Sequence, residues 1–397
     1  MNLKETTAVN LCRKQFSELS TRGFRFKKIQ MLKRLYHKLI LLCLIITSIV
    51  VADLWAFGDK YAGEFLKFGL GVRAMALGGA VVADPTAVTA HYWNPAGLVG
   101  NTRFSGSLMH TEEFAGAIAL DHFALALAGQ GEYSFGVGYF RIGVDDIADT
   151  RDALLDLGTD GLGPGDDGYT GPDADGTEGN GKLDPGERLD YGKFGSFGAS
   201  ENAAFFSMAK QLRPKLKVGG TLKMLYRSLG DDKAYGLGFD IATLYQLTPK
   251  INLAAVLNDA TTTFMLWSDG EREIIAPSLR LGSSAHYTLK KLPLQINPLI
   301  GADILFEGEA HAADLSLGDM VVRARLGLEI IYKETLALRA GRDDLGNPQI
   351  GLGLNTVIGS IDYGLGLGGA YTEFGSSHRV ALTLHFAELQ KTIRRYL

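Results

Sequence analysis

The densest chemistry in the 397 residues lies between Asp145 and Asp190, where fourteen acidic side chains meet only Arg151, Lys182 and Arg188, for a net of −11. Carboxylates at that density suit a hard cation, which takes about six to eight oxygen ligands. Within PDADGTEGNGKLDPGE, oxygens come from Asp173, Asp175, Asn180, Lys182 (through its carbonyl), Asp184 and Glu187, while Gly181 supplies a sharp turn. Aligned from the closing glutamate, Asn180, Gly181, Lys182, Leu183, Asp184 and Glu187 take the fifth to ninth and twelfth positions of a calcium loop. Asp173 and Asp175 serve as first and third ligands only if three extra residues bulge between Asp175 and Asn180. The sequence therefore predicts Ca2+ in the 173–187 loop; the plain alternative is a solvated acidic loop that repels like charge.

No other constellation points to catalysis. Seven histidines follow residue 52 (His91, His110, His122, His286, His311, His378 and His385), and no pair has the helical spacing of a metal site. There is no nucleophile elbow and no phosphate-binding glycine loop, so an enzyme is not expected. Basic residues are dispersed rather than striped, which leaves nucleic acid without a footprint.

The first 52 residues differ from the rest. They hold ten basic residues, two acids and both cysteines, Cys12 and Cys43, leaving 30 basic residues against 42 acidic ones, near −12, in a remainder without Cys. That excludes thiol chemistry and disulfides from the body of the chain. After Lys33, Arg34 and Lys38 runs an apolar stretch of fourteen residues, 39–52. This is shorter than the ~20 a spanning helix needs. With small residues near Ala52 and Ala56, it reads as a signal peptide over residues 1–52, with cleavage as late as 56 and Met1 or Met31 as the start. An uncleaved anchor is the alternative.

The remaining elements follow a period of two. Leu326, Leu328, Ile330 and Tyr332 interleave with Gly327 and Glu329, and Val380, Leu382, Leu384 and Phe386 with Ala381, Thr383 and His385. Such alternation marks strands with one apolar face. Glycine, 50 of 397 residues, is about 13% against a usual ~7%. Fourteen such segments lie between residues 103 and 387, joined by alternating short and long linkers, the longest being the acidic loop 145–202. Short turns on one side and long loops on the other are the pattern of an outer-membrane barrel. Lys217, Lys223, Arg227, Asp240, Arg280, Asp303, Arg323, Arg325 and Glu329 fall on the small or polar face, which such a barrel turns to its lumen. A soluble barrel or sandwich would turn the apolar face inward instead.

Residues 61–100, YAGEFLKFGLGVRAMALGGAVVADPTAVTAHYWNPAGLVG, resemble the N-terminal signature of the PorV/PorQ family of outer-membrane proteins, which are similar to FadL-type transporters. The likeness lies in FLKFGLGVRAMALGGA, in Asp84-Pro85 and in Asn94-Pro95-Ala96-Gly97-Leu98. LWSDGEREIIAPSLRLG (266–282) and SSHRVALTLHF (376–386) resemble the family too. The resemblance implies an all-β transmembrane barrel of about fourteen strands in the bacterial outer membrane, with an N-terminal luminal plug or hatch over residues 53–102. Asn94-Pro95-Ala96-Gly97 would form the turn that seats it. It also implies passive passage or binding of hydrophobic small molecules. The alternatives are a non-enzymatic partner of type IX protein secretion that captures or shuttles exported cargo, and a structural or adhesive surface barrel. Outer-membrane lipids are the expected surroundings, and residues 388–397 a periplasmic tail.

Overall fold

The computed structural model describes residues 63–113, 116–127, 129, 132–289, 291–306, 313–368 and 376–396. The proposed signal peptide and residues 53–62 of the proposed plug lie outside them. The alternating segments become fourteen strands: β1 Ser105–Glu113, β2 Ile118–Ala126, β3 Tyr133–Asp149, β4 Gly195–Arg213, β5 Leu216–Leu229, β6 Asp232–Thr248, β7 Ile251–Asn258, β8 Ser278–Ala285, β9 Leu294–Leu305, β10 Met320–Tyr332, β11 Leu336–Arg342, β12 Pro348–Thr356, β13 Gly359–Gly366 and β14 Ser377–His385. Each pairs antiparallel with its sequence neighbours, and β1 pairs with both β2 (Ser105↔Ala126) and β14 (Ser105↔His385). The ring is therefore closed, and no strand edge is left to aggregate or to meet lipid unpaired.

The two faces separate by parity. In β5, Thr221, Lys223 and Leu225 are buried while Leu222 and Met224 are exposed; in β10, Arg323, Arg325 and Glu329 are buried while Leu326 and Leu328 are exposed. The outward face repeats this around the ring through Leu108, Phe123, Phe206, Leu237, Ile300, Leu338, Leu352 and Leu382. An uninterrupted apolar exterior calls for hydrocarbon, not water. The soluble inversion is thereby excluded: this is a transmembrane β-barrel. At the short-turn end Tyr133, Tyr245, Tyr287 and Tyr332 also face outward, the amphipathic residue suited to a membrane boundary.

Local chemistry sets the connections. The β10–β11 hairpin turns at Lys333 and Glu334, both with positive φ (50° and 60°), and closes with Thr335 N–H donating to Tyr332 C=O. Two such residues give the mirror-image turn whose twist matches the flanking strands. On the other side, β3 and β4 run beyond the expected ends at residues 144 and 203, through an irregularity between Val144 and Ile147, up to Asp149↔Gly195. The acidic loop therefore spans 150–194 rather than 145–202. Apolar alternation is needed only within the bilayer, so it could not mark this extension. The long connection between β7 and β8 likewise contains a hairpin, Thr263–Trp267 with Arg272–Ile275, which pairs with β6 from Leu237 to Ala234. It satisfies backbone groups of a long strand whose other neighbour, β7, stops at Asn258.

Residues 63–104 pack within the ring as short turns, including α1 (Val72–Ala76) and α2 (Ala90–Trp93). Wall glycines make the room. A Cβ on Gly341 of β11 would lie 2.3 Å from Gly78 N, and one on Gly219 of β5 would lie 2.7 Å from Ala96 N. Gly78 itself has φ 64° and would meet Arg342 O at 2.2 Å, so backbone meets backbone with no side chain between. The apolar core joins this segment to the wall: Phe65 stacks on Phe140 at 5.9 Å, and Tyr92 meets Phe205 edge-on at 6.2 Å. Finally, the expected C-terminal tail forms a helix, α3 (Phe386–Tyr396), directly after β14.

Candidate functional site

The site lies where the inner segment meets the wall, and Asn94 fixes its register. Its Oδ1 accepts from Ala96 N–H at 3.0 Å, capping the turn Pro95–Leu98, while Nδ2 donates to Val82 O at 2.8 Å and Thr243 O at 3.2 Å. One buried amide thus ties two turns of the segment to β6. Pro95 and Ala96 lie against Gly219, and Gly97 faces Pro85, which a Cβ would strike at 2.4 Å.

Also toward the short turns, a fork of charges links segment and wall. Arg73 of α1 donates to both oxygens of Glu329 (2.9 and 2.7 Å) and to Asp84 (2.7 Å). Glu329 also accepts from Arg339 at 2.9 Å, and Arg339 reaches Asp362 at 2.5 Å. The network lines a cavity of about 700 Å³ bounded by Thr89, Asn297, Lys333, Asn355 and His385. A second network holds the other flank: Arg325 of β10 bonds Asp303 (2.8 Å), Asp344 (3.0 Å) and Gly78 O (3.1 Å), and Arg280 approaches Asp303 at 3.6 Å. Both guanidinium groups lie over Trp93, at 5.3 Å for Arg280 and 5.8 Å for Arg325, whose indole N–H donates to Leu70 O. Ring faces and carboxylates share these cations.

On the long-loop side is a smaller pocket of about 70 Å³, with Leu66, Tyr92, Phe205, Ile275, Leu305 and Phe306 in its walls. Its polar lining includes Lys223, which contacts Asp240 at 2.8 Å and Asp259 at 2.6 Å. Charges this deep are tolerated because they are paired and bonded.

Of the residues singled out from sequence, Lys217, Lys223, Arg227, Asp240, Arg280, Asp303, Arg323, Arg325 and Glu329 all sit at inward positions of their strands. They do not form one site. Lys217 donates to Val99 O, Arg227 pairs with Glu201 (2.8 Å) and Glu273 (3.5 Å) nearer the long loops, and Arg323 reaches Asp344 at 4.0 Å. Arg73, Arg339, Asp362 and the pair Arg379–Glu113 (2.9 Å) were not singled out. Parity alone would have marked Arg339, Asp362 and Arg379 as inward. His91 and His122 lack the helical spacing of a metal pair, yet their Nε2 atoms lie 3.1 Å apart across the segment–wall contact.

In the acidic loop the oxygens face donors. Glu187 accepts from Gly158 N–H (2.9 Å) and Asp184 N–H (2.8 Å), Asp173 from Thr159 N–H (2.6 Å), Asp184 from Asn180 Nδ2 (2.6 Å), and Asn180 from Lys182 N–H (2.7 Å). Asp175 accepts from the Thr177 and Thr159 hydroxyls, which hold its carboxyl below its ordinary value. The Gly181 and Gly179 amides do the same for Asp156. Among the described residues no three acidic or imidazole groups converge on a metal-sized space. Calcium binding there would require Glu187 and Asp173 to exchange these amides for the ion.

No family model matches the chain, and no curated protein matches it. Among solved structures it is similar to the toluene transporter TodX of Pseudomonas putida, with TM-score 0.47 and 14% identity over 79% of this chain and 96% of that one. It is similar also to the monoaromatic hydrocarbon channel CymD (TM-score 0.46, 14% identity, 83% and 97% covered). A third is a FadL homologue of Pseudomonas aeruginosa (TM-score 0.46, 10% identity, 79% and 97% covered).

Proposed function

We propose that the protein is a bacterial outer-membrane barrel that binds hydrophobic small molecules at its long-loop side and passes them inward when the segment around residues 63–100 shifts. One observation carries this reading: the pocket of Leu66, Tyr92, Phe205, Ile275, Leu305 and Phe306 is built jointly by segment and wall. The apolar and aromatic side chains suit an apolar ligand, and the polar ones that share the lining, among them Lys223, Asn258, Ser278 and Arg280, would fix its orientation. At its edge Lys223 is held between Asp240 and Asp259, and Lys67 and Arg280 share the lining, so charges of both signs are interspersed there and no single sign is presented to an ion. At about 70 Å³ the pocket is an entry rather than a passage. Transit needs the segment to move, and the Arg73–Glu329 fork and Asn94 are the latches that resist it. In this reading the segment is the hatch.

The test is uptake of a radiolabelled aromatic hydrocarbon or fatty acid by cells with and without the protein, with Phe205→Glu placing an unpaired charge in the entry. Uptake should fall with deletion, and with Phe205→Glu at unchanged barrel abundance. Unchanged uptake in the deletion strain, with loss of exported cargo from the surface, would transfer the function to type IX secretion.

A further inference from the structure

Helix α3 follows the last strand of the wall, and its residues are sorted by face. Phe386, Leu389 and Ile393 recur at the spacing of one helical stripe, while Lys391 and Arg395 fall on the opposite side and Arg394 at its flank, all three exposed. Glu388 takes one contact, with Lys391 at 2.9 Å, leaving a cationic surplus. The anchor of the stripe settles where the helix lies. The Phe386 ring packs against Phe104, tilted by 40° with centroids 4.7 Å apart, and covers Gly106, where a Cβ would meet it at 2.9 Å, beside Leu125. Gly106 and Leu125 are outward positions of β1 and β2, so Phe386 packs on the lipid-facing side of the wall. Farther along the stripe, Ile393 is 48% exposed. The level is the short-turn boundary, where Lys210, Lys250 and Lys333 stand over Tyr133, Tyr287 and Tyr332 at 4.9, 5.7 and 5.2 Å.

We propose that α3 lies flat in the leaflet at the short-turn end, its Phe386–Leu389–Ile393 stripe in hydrocarbon and its Lys391, Arg394 and Arg395 face bound to anionic phospholipid headgroups. The apolar stripe continues the lipid belt of the wall, and three cations beside it supply the complementary charge. The inference rests on the barrel spanning a bilayer and not on the cargo proposed for its pocket.

The test uses the full chain with Cys12→Ser and Cys43→Ser, carrying a polarity-sensitive fluorophore on Ile393→Cys. The barrel is placed in nanodiscs of phosphatidylcholine with or without phosphatidylglycerol. The label should be shielded from aqueous iodide when phosphatidylglycerol is present, and less so without it or in high salt. Lys391→Gln, Arg394→Gln and Arg395→Gln should each lower the ratio of shielded to exposed label about fivefold, with the heat-modifiable migration of the folded barrel as the control for assembly. A label quenched freely in both lipids overturns the placement. Shielding independent of phosphatidylglycerol, or surviving the triple substitution in a folded barrel, overturns the headgroup assignment.

Discussion

At the residue scale, Asn94 and Arg73 each tie the inner segment to the wall. Replacing Asn94 with Ala leaves Val82 O and Thr243 O without this donor and removes the cap on Pro95–Leu98. A buried group left unsatisfied costs about 1–3 kcal/mol. Hydrogen exchange should show the amides of residues 94–99 opening faster, by a factor corresponding to at least one such term, while the strand amides stay protected. Arg73→Ala is the harsher change, since it strips one side from a buried ion pair, and such truncations cost about 3–5 kcal/mol. Glu329 would keep Arg339 as a partner, which places the loss toward the lower end. In planar bilayers Arg73→Ala should raise the frequency of conducting events. A record as quiet as that of the unaltered barrel would show that the fork is not a latch.

At the element scale, strands were legible in sequence and their contacts were not. Alternation fixes which side of the wall a residue faces, so Arg323, Arg325 and Glu329 could be assigned inward from their neighbours Leu326 and Leu328. It does not fix height, and height decides partners: Arg73 meets Glu329 across 256 residues and Arg379 meets Glu113 across 266. The Thr263–Trp267 hairpin and the upper ends of β3 and β4 lay hidden for a related reason, because outside lipid a strand has no need of an apolar face. Helix α3 carries a period of 3.6 rather than two, so strand alternation does not mark it. The acidic loop adds a pH dependence. Because the Gly181 and Gly179 amides lower the Asp156 carboxyl below its ordinary 3.8, the ordering they provide is present above that value and is lost as pH falls through the depressed one. Exchange of the Gly179 and Gly181 amides, corrected for intrinsic rate, should stay slow at neutral pH and quicken below 3.8. Asp156→Asn should abolish that acid transition. If calcium occupies the same loop, calorimetric titration should saturate near millimolar calcium, and Glu187→Gln should remove the heat.

At the scale of the whole molecule, everything depends on hydrocarbon surrounding the wall, and two leucines of similar exposure can decide that. Leu352, midway along β12 on the outward face, is 55% exposed, and Leu183, in the acidic loop, is 61% exposed. In water the two positions would be equivalent: an arginine at either is already solvated, and surface changes of that kind stay within about 0.5 kcal/mol. In a bilayer they are opposites. An arginine on the lipid face near the midplane of a barrel costs about 2–4 kcal/mol, because the guanidinium must be dragged toward the interface or carry water with it. The loop position never leaves water and should cost nothing measurable. Urea-driven unfolding from phospholipid vesicles should therefore separate Leu352→Arg from Leu183→Arg by 2 kcal/mol or more, on the order of that penalty. The inward neighbours sharpen the contrast, since Arg339 and Arg379 are already accommodated on the other face by Glu329 and Glu113. Equal stability of the two variants would mean that water, not lipid, bathes the outer face.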